Sequence, residues 1–388
     1  MAETMFDYIK EFGDRSFEKE PVNEVDSLIL CQLSYLKFDG MVPGVSEEED
    51  GVSFQEIYGN ENYPRLFKNT WFEKNNQRLF EDMMNSKRFG DMKMNYFVNI
   101  IETDTETQFC AITFTLGNGT DYVVYRGTDE TIVGWKEDLN MAFLDPVPGQ
   151  AHAVQYIEKV GKNLSDLFYV GGHSKGGNLA VYTAMNCEKH IQDRMIKIYN
   201  MDGPSFRPEV LKKYDYASIQ SRTYKIIPQS SLVGMFFEKT MEYRVVKSKA
   251  LGFLQHDPFS WQVKYGRFVD VSQVYEGQKF MDDTLNEWIL SLNEEQIRTF
   301  SDTVYQILSA SEKDNLIDFS IDWIDSMNGM MNAIKEVDEE TKTSIKETIK
   351  ALLRLTQVRM RNELSKRPKQ IMDNIIQKIE SIEVVEGR

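Results

Sequence analysis

GGHSKGGNLAVYTAM, residues Gly171 to Met185, follows the short apolar run LFYV at Leu167 to Val170. Within it, Gly172-His173-Ser174-Lys175-Gly176 spells GxSxG, the pattern of a sharp strand-to-helix turn that lifts a serine hydroxyl above the end of a central strand. The string alone is weak, since with Gly and Ser each at roughly 7% it arises by chance in about one chain of this length in eight. Its context gives it weight. A short apolar strand precedes it, a helical pattern follows directly, and Gly176, Gly177 and Ala180 are small where such a helix must approach the strand closely.

Working outward, MNYFVNII, TQFCAITFTL and TDYVVYRG read as strands, and the GNGT at Gly117 to Thr120 joins the last two as a hairpin. Helical and strand patterns then alternate: a helix near Val133 to Ala142, another at Ala151 to Leu164, the strand LFYVGG, the helix from Lys175, and the strands RMIKIYNM and RTYKIIP. This alternation predicts an α/β fold, a mostly parallel sheet with helices on both faces. Upstream, NEVDSLILCQLSYLKF sets Val25, Leu28, Ile29, Leu33 and Leu36 at helical spacing behind the N-cap residue Asn23, and a second helical stretch spans Asn75 to Ser86. Beyond Gly277 the texture changes. Proline is absent between Pro258 and Pro368, and Ile297, Phe300, Val304 and Leu308 repeat at helical spacing, as do Ile371, Ile375 and Ile379. The expected organisation is an α/β domain with an N-terminal helical extension over residues 1–276 and an all-α C-terminal region over 277–388.

Composition excludes several classes. Of 388 residues, 41% are apolar, enough for a packed interior. The net charge of -16 repels phosphate backbones and anionic lipid headgroups, so no nucleic-acid partner is expected. Cys31, Cys110 and Cys187 show no CxxC and no histidine at metal-ligand spacing, and read as buried thiols in a reducing compartment. No metal or other cofactor is implied. The start MAETMFDYIKEFGDR lacks the basic head and apolar run of a leader, and no stretch reaches membrane-spanning length. A soluble cytoplasmic protein is expected.

A serine hydroxyl is a poor nucleophile at neutral pH and requires a base. The chain has four histidines. His173 lies inside the turn with its side chain expected to point away from Ser174, and His152 and His190 sit on flanking helices as surface or packing residues. His256, in LQHDPFSW, follows the last expected strand on a loop broken by Pro258, where a hydrolase of this type carries its base. For the acid that orients the imidazole, Asp202 is the first choice, at the end of RMIKIYNM one strand beyond the turn. Its other reading is a turn residue ahead of Gly203-Pro204. Asp257 is the alternative acid, and it would otherwise cap the loop. The Lys175 amide and Thr128, in YRGTDE, are the candidate oxyanion donors, with Arg126 beside them as a candidate ion-pair residue. The Lys175 side chain is expected at solvent or on the helix surface rather than toward an anionic substrate. Met235 and Phe236, with Phe237, are candidates for an acyl pocket or for core, and Ile132, Val133 and Trp135 for a lid or for core.

These residues carry a resemblance. YRGT, then Trp135 and Asp138 in GWKEDLNM, then GGHSKGGNLA resemble the class 3 lipases, an α/β-hydrolase group showing RG[ST], a downstream W..D and GHSLGG[AH]LA, over roughly Met94 to Trp261. The resemblance implies Ser174 as nucleophile, Thr128 and the Lys175 amide as oxyanion hole and His256 as base. The chain departs from the pattern twice. Lys175 stands where the lipases have Leu, which is closer to a bacterial family of hydrolase-like proteins of unknown function, recognisable also by VDSLILCQLSYLKF and PQSSLVG. The lipase acid follows the strand here written RTYKIIP, yet IIPQSSLVG holds no carboxylate. Some other lipases of the fold carry theirs one strand earlier, where Asp202 stands.

Two functions remain open on these grounds. One is a serine hydrolase cleaving a small-molecule or lipid-like carboxylic ester. The other is a hydrolase-fold scaffold without catalysis, docking a protein partner through its C-terminal helices.

Overall fold

A computed structural model of the chain describes residues 2–271 apart from 47–49, 69, 71, 103, 106, 129–136, 138–140, 142–143, 230, 232, 238–240 and 251. The expected C-terminal helical region and most of the expected helix at Val133 to Ala142 lie outside the described residues.

Among the described residues, eight strands form one sheet in sequence order: β1 (Val52–Ser53), β2 (Lys93–Glu102), β3 (Thr107–Thr115), β4 (Asp121–Tyr125), β5 (Phe168–His173), β6 (Met195–Met201), β7 (Thr223–Pro228) and β8 (Tyr243–Val246). The first four pair antiparallel, and every pairing from β4 to β8 is parallel. The GNGT turn closes the β3–β4 hairpin as expected, with Gly119 at φ +77 and its amide on the Leu116 carbonyl at 2.8 Å. Gly supplies that left-handed conformation without a Cβ clash. Sequence reading overlooked β8, because YRVV is only four residues long and lacks a flanking turn signal. A small hairpin, Val263–Lys264 against Arg267–Phe268, also follows the His256 loop.

Side-chain alternation along β4 shows why both faces need cover. Tyr122 and Val124 join one buried cluster with Leu28, Leu30 and Leu33, whereas Val123 and Tyr125 join another with Ile157, Leu179 and Val181. The first face is covered by the N-terminal helices Met5–Phe12, Glu24–Leu33 and Glu73–Met84. The second is covered by Pro148–Val160 and Lys175–Asn186. The Glu24–Leu33 helix begins as its sequence indicates, the Asn23 side chain accepting from the amides of Val25 at 2.8 Å and Asp26 at 3.2 Å. That layer is locked by a buried ion pair, Arg88 Nη2 lying 2.5 Å from Asp26 Oδ2, with the Tyr8 hydroxyl donating to Asp26 Oδ1 at 2.9 Å. No helix of the described residues is long and apolar enough to cross a membrane.

Candidate active site

The parallel half of the sheet sends its strand ends to one rim, where open α/β sheets gather their sites. Ser174 follows β5 at φ +58, ψ -134, a region that L-residues rarely occupy. Glycines make that bend possible. A Cβ on Gly172 would stand 2.1 Å from the Gly176 carbonyl carbon, and one on Gly176 would stand 2.0 Å from the Tyr125 oxygen. The elbow therefore packs backbone against backbone on β4, as the run of small residues predicted.

Asp202 follows β6 at φ +53, with its amide on the Ile226 carbonyl at 2.8 Å and its side chain fully buried. Asp tolerates this left-handed backbone better than most residues. His256 closes the turn Gly252–His256, and its Nδ1 lies 2.7 Å from Asp202 Oδ2. A carboxylate only accepts, so Nδ1 is the donor here, and in the neutral ring that is the tautomer whose acceptor is Nε2. The second oxygen of Asp202 receives the hydroxyl of Ser231, which in turn accepts from the Gly234 amide at 2.8 Å. Ser231 belongs to IIPQSSLVG, the string that lacks a carboxylate. It braces Asp202, which arrives from the neighbouring strand.

Gly127, just after β4, lies against the elbow: a Cβ there would stand 2.9 Å from Ser174 Cβ and 2.5 Å from the His173 oxygen. Thr128, the candidate oxyanion donor, is the next residue and is half-buried. Arg126 is buried and donates from Nη2 to Asn99 Oδ1 at 3.1 Å.

One expectation is corrected here. The Lys175 side chain points into the protein rather than to solvent or the helix surface, and is fully buried. Its ammonium donates to the Gln108 carbonyl at 2.7 Å, to Gln108 Oε1, and to Glu137 Oε2 at 2.8 Å. Three acceptors for three N–H groups, one of them a carboxylate, make this burial tolerable. Glu137 also accepts from the amides of Gly149 at 2.6 Å and Gln108 at 3.2 Å. The cation is thus neutralised within the protein. His173, expected to be a surface or packing residue, is a buried packing residue, its Nε2 lying 2.9 Å from the His256 carbonyl oxygen.

The other candidates fall elsewhere. His152 stacks on Phe109 with ring centroids 5.8 Å apart, and His190 pairs at the surface with Glu188 at 3.1 Å. Asp257 caps the turn Pro258–Ser260, its Oδ1 accepting from Phe259 N at 2.9 Å. Burial pushes its carboxyl up to about 6, opposed by that amide and by the Lys249 and His256 charges. Met235 packs in a buried cluster with Ile227 and Val245. Phe236 is half-buried and meets the Phe237 ring edge-on. Ile132, Val133, Trp135 and Asp138 lie outside the described residues. Burial foremost, then the nearby His256, holds the His173 imidazole well below its usual range. Among the described residues no cluster suited to a metal ion occurs.

Sequence reading missed Glu137 and Ser231. No local signal singled out Glu137, because only once Lys175 is known to be buried does it call for a carboxylate partner.

The fold and site define an α/β chain with a serine elbow and a histidine–aspartate pair at one sheet rim. The chain belongs to the Mbeg1-like family, a lipase-like family, whose model matches residues 83–306. No curated protein matches it. Among solved structures it is similar to the native Rhizomucor miehei lipase propeptide complex, with 14% identity, 57% of this chain and 68% of that one covered, and a TM-score of 0.33. It is also similar to a deletion mutant of that complex, at 16% identity with 58% and 82% covered and a TM-score of 0.33.

Proposed function

We propose that this chain is a serine hydrolase that cleaves a carboxylic ester of a small or lipid-like molecule. One observation carries the reading: His256 Nδ1 sits on the buried Asp202 carboxylate at 2.7 Å, on the strand next to the one ending in the strained Ser174. In that tautomer His256 Nε2 takes the proton of Ser174 Oγ as the oxygen attacks the ester carbonyl. The tetrahedral oxyanion is stabilised by the Lys175 amide and by Thr128. The imidazolium, steadied by Asp202, returns the proton to the leaving alcohol, and water then attacks the acyl-enzyme by the same route in reverse. Neutralisation of Lys175 by Glu137 removes the one elbow cation that would favour an anionic substrate.

The motive for a scaffold without catalysis is that IIPQSSLVG holds no carboxylate. Asp202, braced by Ser231 from that same string, weakens its motive.

The test is covalent labelling of the purified chain by a fluorophosphonate. Stoichiometric modification of Ser174, abolished in Ser174→Ala along with about a millionfold of any esterase rate, is expected. An inert Ser174 in the intact fold would refute the enzymatic reading.

A further inference from the structure

His173, the residue before Ser174, is hydrogen-bonded to the loop that carries His256. The His256 loop is fastened to itself by the Trp261 indole N–H on the Gln255 carbonyl at 2.9 Å and by the Lys249 amide on the Ser260 carbonyl at 2.9 Å. His256 also ties the loop to the sheet at two points, its ring on Asp202 and its backbone carbonyl on His173 Nε2. A carbonyl oxygen only accepts, so His173 Nε2 carries the proton and Nδ1 is an acceptor. The hydroxyl of Tyr35 lies 3.2 Å from that Nδ1 and therefore donates to it. The two imidazoles pack with centroids 4.5 Å apart, and the Tyr35 ring meets His173 edge-on at 6.1 Å. The same hydroxyl would stand 2.2 Å from a Cβ on Gly127, so it also abuts the segment leading to Thr128.

Resting on the reading of His256 as base, we propose that His173 and Tyr35 are positioning residues that set the His256 ring over Ser174. Holding only the ring would leave its backbone origin free to shift. Holding the carbonyl as well fixes where the ring starts and which way it turns. Tyr35 follows the helix Glu24–Leu33 and precedes the stretch matched by the family model, so the N-terminal layer reaches the site through it. His173 acts as a neutral donor, which its burial favours.

The experiment compares His173→Leu, His173→Gln and Tyr35→Phe in the full chain by proton NMR and by fluorophosphonate labelling rate. The Nδ1 proton shared by His256 and Asp202 gives a far-downfield resonance. It should be present in the wild-type chain, lost in His173→Leu, kept in His173→Gln, whose amide retains a donor, and weakened in Tyr35→Phe. Labelling should fall about 100-fold in His173→Leu, the scale of an ångström misplacement, and about fivefold in Tyr35→Phe, the scale of one hydrogen bond. A purely structural role would lower the melting midpoint while leaving the resonance and the rate of the folded chain unchanged, and that result overturns the proposal. So does absence of the resonance from the wild-type chain. Should His173→Leu not fold, an unchanged resonance and rate in Tyr35→Phe overturns it equally. A wild-type chain that is not labelled at Ser174 refutes the hydrolase reading instead, while the resonance comparison still decides whether His173 holds His256.

Discussion

Lys175 Nζ lies 2.8 Å from Glu137 Oε2, and neither side chain is exposed. Removing one partner strands the other as a buried, uncompensated charge. Lys175→Met should therefore lower stability by about 3–5 kcal/mol, read as a shift of the urea midpoint. The double variant Lys175→Met/Glu137→Gln should recover only part of that loss, because the single amide oxygen of Gln accepts from the Gly149 amide while the Gln108 amide, held by the other oxygen of Glu137, loses its acceptor. Equal stability of the single variant and wild type would show that the pair contributes nothing.

Asp202→Asn should drop the hydrolytic rate by about ten-thousandfold, because the amide favours the wrong His256 tautomer while leaving the shape intact. Ser231→Ala removes the hydroxyl on the other oxygen of Asp202 and should cost far less, on the order of tenfold, the scale of one hydrogen bond. Rate constants for the two variants, measured with one ester substrate, decide the ranking.

A methyl at Gly176 has no room, since its Cβ would stand 2.0 Å from the Tyr125 carbonyl oxygen, which is backbone in β4. Gly176→Ala should destabilise by about 1–3 kcal/mol or more, and fluorophosphonate labelling should fall with it as the elbow shifts. Wild-type melting and labelling in this variant would mean that the strand and helix separate freely.

Stability should respond to pH in two opposed windows. The folded chain keeps His173 neutral well below the ordinary imidazole range, so the unfolded chain binds a proton that the native state refuses. Stability from this group is complete above about 6.5 and declines as pH falls below it. Asp257 runs the other way. Its folded value of about 6 lies above the ordinary carboxyl value near 4, so its contribution is present at low pH and is lost as pH rises through about 4 to 6. Asp257→Asn, which keeps an acceptor for Phe259 N, should therefore gain on the order of 2–3 kcal/mol at pH 7.5 and little at pH 4. His173→Gln should flatten the acid limb below about 6.5. Melting curves of both variants across pH 4 to 8 test the signs.

Local chemistry made much of this chain legible. Asn23 announced a helix start, GNGT a hairpin, and the glycines around Ser174 an elbow, because each is governed by backbone conformations that a few neighbouring residues dictate. β8 escaped notice because a four-residue strand is defined by its neighbour, β7, rather than by its own pattern. Asp202 was visible as a candidate from chain order, but so was Asp257. Only the fold separates them, setting one carboxylate against the His256 ring and turning the other to cap Phe259 N.

The sequence by itself determined the elbow, the alternation of strand and helix, and the short list of groups able to do acid–base work. The tertiary structure alone decided that Lys175 turns inward to Glu137, that Ser231 braces Asp202, that Tyr35 bonds His173 and that His173 bonds the His256 carbonyl. Those partners lie 38, 29, 138 and 83 residues apart. Contacts at such separations depend on where the sheet brings distant segments together, and a local pattern holds no record of that.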